Sequence, residues 1–168
     1  MVRRGRRHRP GDMAGGEFLR YVELVVSDDS PTVATVGVAS IEDIVPTEQK
    51  ALLGSGKLSV KQMPKGRYYE LYQDYVCGSS LLVANTILGM LPVPELIVTA
   101  QSEMLNTATG HVEESPILSI FVPRETVARL NLSSVDASDA MSNFTHNMKF
   151  LKTKGFQPIE QVSPPGST

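Results

Sequence analysis

The sequence contains one long run without a charged side chain, from Tyr75 to Pro94. Its twenty residues match the length of a membrane-spanning helix, which needs about 20 predominantly apolar residues. The run, YVCGSSLLVANTILGMLPVP, is interrupted by glycine, serine, asparagine and proline, so its apolar density is too low for lipid. We therefore predict no membrane attachment, a helix buried inside a soluble domain, and an apolar strand that follows it from Glu95 to Ala100.

The length of 168 residues suits one ordinary domain with its own hydrophobic core. We predict that residues 17–156 form a single α+β domain, that residues 1–16 form a disordered basic arm, and that residues 157–168 form a disordered tail. A single cysteine, Cys77, provides neither a disulfide framework nor a metal-binding cysteine pair. No secretory signal begins the chain, so we expect a cytoplasmic, bacterial protein without a cofactor.

The basic residues are concentrated at the N-terminus, where five arginines precede Met13: Arg3, Arg4, Arg6, Arg7 and Arg9. The whole chain has 16 basic and 18 acidic residues. Residues 1–12 contain five of the basic residues and one of the acidic residues, so the rest of the chain is acidic. An acidic body disfavours a broad nucleic-acid-binding face, because such faces need clustered positive charge. The arm itself is either a phosphate-contacting tail or sequence translated upstream of a true start at Met13.

Hydrophobic patterning predicts the first elements. Residues 17–26 and 32–40 are rich in β-branched residues and are separated by a Ser/Asp/Pro turn, which predicts two antiparallel strands. Thr47 begins a predicted short helix that ends before Gly54, and a loop follows. A long helix is predicted over residues 66–91, with its second half apolar all round and with Gly78, Ser79 and Ser80 allowing the sheet to approach closely.

The clearest hairpin signal follows this helix. Residues 96–100 and 117–122 are apolar on both faces, as central strands are, and the sequence between them is polar. Asn106 opposite His111 leaves a four-residue loop in which Gly110 supplies a positive φ. The outer part of the hairpin then projects from the core, and we predict that it binds a protein partner through Leu105, Asn106, His111 and Val112.

The last predicted element is a C-terminal helix from Asp136 or Ser138 to Gly155, because Met141, Phe144, Met148 and Leu151 lie at helical spacing. The fold class is then α+β, a two-layer sandwich with a mainly antiparallel sheet in the order β-β-α-β-β-α.

No residue is assigned as catalytic, and no metal site is predicted. Glu70 and Asp74 share a helix face, but a solvated pair of carboxylates is the ordinary explanation. His146 could act as a general base only beside a nucleophile, which the sequence does not identify.

We therefore expect a non-catalytic protein-interaction or assembly domain that binds a protein partner or a second copy of itself. One alternative is a small hydrolase or transferase that uses the Glu70, Asp74 and His146 side chains. Another alternative is a nucleic-acid accessory protein that uses the N-terminal arginines together with Lys149, Lys152 and Lys154.

Overall fold

A computed structural model describes residues 19–166, which form a mixed α+β fold. The elements in chain order are β1 (Leu19–Val25), β2 (Thr32–Val38), α1 (Ile41–Ile44), β3 (Glu48–Leu52), β4 (Leu58–Gln62), α2 (Lys65–Met90), β5 (Glu95–Asn106), β6 (His111–Pro123), α3 (Arg124–Ala128), α4 (Ala137–Ala140), a 3-10 turn (Met141–Asn143), β7 (Thr145–Leu151) and β8 (Gly155–Gln157). None of the helices in the described range is long and apolar enough to cross a membrane. The predicted α+β class is confirmed.

Six strands form one sheet in the order β1-β2-β5-β6-β7-β8, and β3 pairs only with β4 in a separate hairpin. The β2–β5 pairing is parallel and every other pairing is antiparallel. A parallel pair requires a long crossover connection, which here contains α1, the β3–β4 hairpin and α2. The predicted strand order is therefore only partly correct, because two further hairpin strands and two C-terminal strands are present.

Helix α2 packs on one face of the sheet, as the charge-free run predicts. Alternate residues of β2, namely Ala34, Val36 and Val38, are buried with α2 residues such as Val76 and Leu88 in the main core. Burial of this apolar surface is the main force that holds the helix on the sheet. Gly78, however, lies next to Ala137 of α4 rather than at the closest approach to the sheet.

The opposite face of the sheet is covered by the C-terminal segment. Val162 is buried against Ile97 and Phe121, and its backbone N–H donates to the Ser119 hydroxyl at 3.0 Å. The Ile159 N–H donates to the Pro116 carbonyl at 2.9 Å. The segment that composition predicts to be a disordered tail thus lies along the sheet as far as the structure describes it, because a buried valine and satisfied backbone groups hold it there.

The predicted C-terminal helix is wrong. Residues 145–151 form β7, which pairs with β6 so that Ile120 lies opposite His146, and Gly155 begins β8. In β7 the half-buried residues are His146, Met148 and Phe150, a period of two. The strand pairing satisfies the backbone and selects this period over the helical one that the apolar residues also permit.

The predicted helix after Thr47 is also wrong, since Glu48–Leu52 forms β3 and pairs with Leu58–Gln62. Gly56, at φ +80°, provides the turn between the two strands. The other local predictions are confirmed: β1 and β2 are antiparallel, α2 spans the predicted range to within one residue at each end, and Asn106 lies opposite His111.

Candidate functional site

Two hairpins leave the same end of the sheet. The β2–β5 register ends with Gly37 opposite Gln101, so residues 102–115 of the β5–β6 hairpin extend beyond β2 and pair only with each other. We call these residues the arm. The β3–β4 hairpin, residues 48–62, leaves from the same end because it lies between the C-terminus of β2 and the N-terminus of α2. We call it the short hairpin, and both together the hairpin end.

A cavity of about 220 Å³ lies at the base of the hairpin end. It is bounded by α1, by Tyr69 and Tyr72 of α2, by the base of the arm, and by the turn between β7 and β8. Its lining includes the charged residues Glu42, Glu103 and Lys154.

Tyr72 lines this cavity, and hydrogen bonds fix its side chain in place. Its hydroxyl donates to the Ala39 carbonyl at 2.7 Å and lies 3.1 Å from the Ser102 hydroxyl, which therefore donates to it. The Ala39 N–H donates to the Tyr75 hydroxyl at 3.1 Å, so both backbone groups of Ala39 are satisfied by α2. Burial raises the pKa of Tyr72 to about 12. The network fixes the N-terminal half of α2 against the end of β2 and against β5 at the base of the arm.

The outer face of the arm is anchored by the start of β1. Arg20 Nη2 lies 2.8 Å from Glu114 and 3.2 Å from Glu103, and its guanidinium lies over the Tyr21 ring. The Tyr21 ring lies across Gly37, where a β-carbon would overlap it, and its hydroxyl donates to Glu114 at 2.8 Å. Burial, and then the hydrogen bond to Glu114, raise the pKa of Tyr21 to about 12. Side chains of β1 thus hold the base of the arm by pairing with glutamates of β5 and β6.

Beyond this anchor the arm carries an exposed apolar pair. Leu105 and Val112 lie directly opposite each other, on the same face as Glu103 and Glu114, and are 62% and 64% exposed. The short hairpin has a similar pair, since Leu52 and Leu58 lie opposite each other and are 77% and 61% exposed. Exposed aliphatic residues are common singly, but adjacent pairs at the ends of two hairpins make an apolar surface that favours contact with another molecule.

The two hairpins carry opposite charge. The arm contains three glutamates, Glu103, Glu113 and Glu114, and no lysine or arginine. The short hairpin contains three lysines, Lys50, Lys57 and Lys61, against the single acid Glu48. The hairpin end is therefore polarised as well as apolar.

Of the predicted partner-binding residues, Leu105 and Val112 form the exposed pair, while Asn106 and His111 lie opposite each other on the other face of the arm. The Asn106 side chain organises the tip, because its amide donates to Glu113 at 3.3 Å and its oxygen accepts from the Ala108 N–H at 3.0 Å. Leu52, Leu58 and Val60 were missed, although their alternation around Gly56 is a recognisable hairpin signal.

The catalytic candidates lie on two elements, with both carboxylates on α2 and His146 on β7. Glu70 is exposed on α2 and paired with Arg67 at 3.0 Å, whereas Asp74 faces α4, where burial and the Asp136 carboxylate raise its pKa. His146 is on β7, and its Nδ1 lies 3.0 Å from the Phe144 carbonyl. Among the described residues, no hydrogen bond or ion pair joins His146 to either carboxylate.

The lysine candidates do not lie on a helix. Lys149 is exposed on β7, and Lys152 and Lys154 lie in the turn between β7 and β8, not at the end of a helix. Arg3, Arg4, Arg6 and Arg7 lie outside the described residues. Within residues 19–166, no three histidine, cysteine, aspartate or glutamate side chains lie close enough together to hold a metal ion.

Cys77 is fully buried in α2, and desolvation raises the pKa of its thiol to about 12, with Asp74 and Asp136 adding to the effect. A thiol in this environment is a packing residue and not a nucleophile at neutral pH.

Comparison of the sequence with known proteins identifies no relative. No protein-family model matches this chain, and no curated protein is found to be similar to it.

Proposed function

We propose that this chain is a non-catalytic protein-interaction or assembly domain of the cytoplasm, and that its hairpin end is the surface that contacts a protein partner or a second copy. The observation that carries the proposal is the pair of exposed cross-strand apolar contacts, Leu105 with Val112 and Leu52 with Leu58, at one end of the molecule.

An isolated two-stranded hairpin is only marginally stable in water, because it buries too little apolar surface to offset its loss of backbone entropy. The short hairpin pairs with no other strand of residues 19–166, and every residue of β3 is exposed. A partner that covers Leu52 and Leu58 would bury this surface and stabilise the hairpin.

The anchoring of the arm also supports the proposal. Arg20, Tyr21 and Tyr72 hold its base through ion pairs and hydrogen bonds, so the apolar tip is presented by a rigid support. A preorganised surface loses less conformational entropy on binding than a mobile loop does.

Site-specific photo-crosslinking in cells of the source organism tests this proposal. A photoreactive phenylalanine analogue replaces Leu105 in one strain and Met90 in another; Met90 is 75% exposed at the far end of α2 and serves as the control. We expect protein adducts of defined mass from position 105 and none from position 90. The absence of adducts at position 105, or equal adducts at both positions, would contradict the proposal.

A further inference from the structure

We infer that the partner at the hairpin end is a second copy of this chain, with the short hairpin of each copy packed on the arm of the other. This inference rests on the proposed function and identifies its partner.

The first argument is that the two surfaces match in layout. In the short hairpin, the exposed Leu52–Leu58 pair is followed on the same face by Lys50 opposite Val60. In the arm, the exposed Leu105–Val112 pair is followed on the same face by Glu103 opposite Glu114. Same-face neighbours along a strand are about 7 Å apart, so each hairpin places its charged position at the same distance from its apolar pair.

The second argument is that the charges balance. On the arm, the carboxylates of Glu103 and Glu114 share the single guanidinium of Arg20, which leaves one negative charge on this face. On the short hairpin, Lys50 brings one positive charge to the matching position. Packing the two faces together therefore buries the leucine pairs and pairs Lys50 with the surplus carboxylate charge, whereas packing two arms or two short hairpins together would juxtapose like charges.

The third argument concerns closure. Because both hairpins leave the same end of the sheet, a twofold axis at that end can bring each short hairpin onto the arm of the other copy. Both contacts then form at once in a closed dimer, the arrangement that most homo-oligomers adopt. The apolar residues of both hairpins become buried, and none is left to recruit a third copy.

The experiment measures the mass of the full-length chain by light scattering and by sedimentation over a range of concentrations and salt. We expect a dimer whose dissociation constant rises with salt, because a charge pair contributes to the contact. Leu52→Asp and Leu105→Asp should each weaken the dimer by at least about tenfold, as the loss of a central contact does. Leu82→Asp, a change at a 63% exposed leucine of α2, should leave the dimer unchanged.

Mixing the two variants gives the sharper result. Each variant alone has a damaged residue in both contacts of its dimer, whereas a mixed dimer has both damaged residues in one contact and an intact second contact. We therefore expect mixed Leu52→Asp and Leu105→Asp chains to recover dimer that neither forms alone. Both leucines are exposed, so we expect each variant to fold, and circular dichroism checks this.

A chain that stays monomeric up to millimolar concentration would overturn the inference. So would a dimer that is insensitive to Leu52→Asp, or variants that fail to complement each other on mixing. If position 105 then still crosslinks to a different protein, the proposed function stands and only the identity of the partner is refuted. Without any adduct at that position, both are refuted.

Discussion

Replacing the buried Gly155, the first residue of β8, by alanine should destabilise the protein more than the same substitution at Gly110, which has a similar backbone conformation. Gly155 has a φ of +76°, a conformation that residues with a β-carbon rarely adopt. An added β-carbon would also lie 2.7 Å from Cδ1 and 2.9 Å from Cε1 of the Tyr69 ring, which is closer than van der Waals contact allows. The substitution therefore introduces two separate penalties.

The two penalties can be estimated separately. The left-handed backbone costs a non-glycine residue roughly 1–2 kcal/mol. The overlap forces the half-buried Tyr69 ring to move, and overpacking of this kind destabilises by roughly 1–3 kcal/mol. The sum is about 3 kcal/mol, which at a urea slope of roughly 2 kcal/mol per molar lowers the unfolding midpoint by about 1.5 M. Urea unfolding followed by circular dichroism measures this shift.

Gly110→Ala is the matched control. Gly110 has nearly the same φ, +75°, but apart from its chain neighbours no heavy atom of the described residues lies within 4 Å of the β-carbon that alanine would add. It should lose only the backbone penalty, about 1 kcal/mol. Removal of the ring in a Tyr69→Ala background should reduce the effect of Gly155→Ala to the same value. Equal effects of the two glycine substitutions in the wild-type background would refute the argument that the Tyr69 contact makes position 155 special.

Three further predictions concern tyrosine and cysteine side chains of α2. Tyr72→Phe should lower the free energy of unfolding by about 1–2 kcal/mol, because it leaves the buried Ala39 carbonyl without its donor. Tyr75→Phe removes a half-buried hydroxyl and should lower the free energy of unfolding less. Equal losses for the two variants in urea unfolding would contradict this prediction. Cys77 should resist thiol reagents at neutral pH until the protein unfolds, and rapid labelling of the native protein would contradict its burial. Burial raises the pKa of this thiol from 9.0 to about 12, so as the pH rises the thiol ionises in the unfolded protein before it ionises in the folded one. The free energy of unfolding should therefore fall between pH 9 and pH 12, and it should fall more in the wild type than in Cys77→Ala.

Several elements were predictable because their causes are local. The charge-free run is too long for a strand, and the helix that contains it lies between Pro64 and Pro92, so α2 follows from composition and length. The register of the arm follows from the position of Gly110, which can adopt the positive φ that the loop requires. The hairpin alone was enough to select Leu105 and Val112, which lie opposite each other and are exposed, and their part in partner binding stays a prediction.

Other elements could not be predicted, because contacts with residues distant in the sequence determine them. Residues 145–151 carry apolar side chains that satisfy a helical period and a strand period equally, and only the unpaired edge of β6 makes the strand the better choice. Val162 is held by Ile97 and Phe121, which are distant in sequence, so a polar, proline-containing segment gave no sign of docking.

The sequence by itself determined the long helix, the first pair of strands and the arm with its tip, because each depends on side chains within one turn or one hairpin. The tertiary structure decided how these elements are arranged. It brought Tyr21 to Glu114, 93 residues away, to anchor the arm, and it placed the short hairpin at the same end as the arm. Both arrangements depend on the parallel pairing of β2 with β5, a long-range contact whose register follows from burial of one face of these strands under α2 and not from any local pattern.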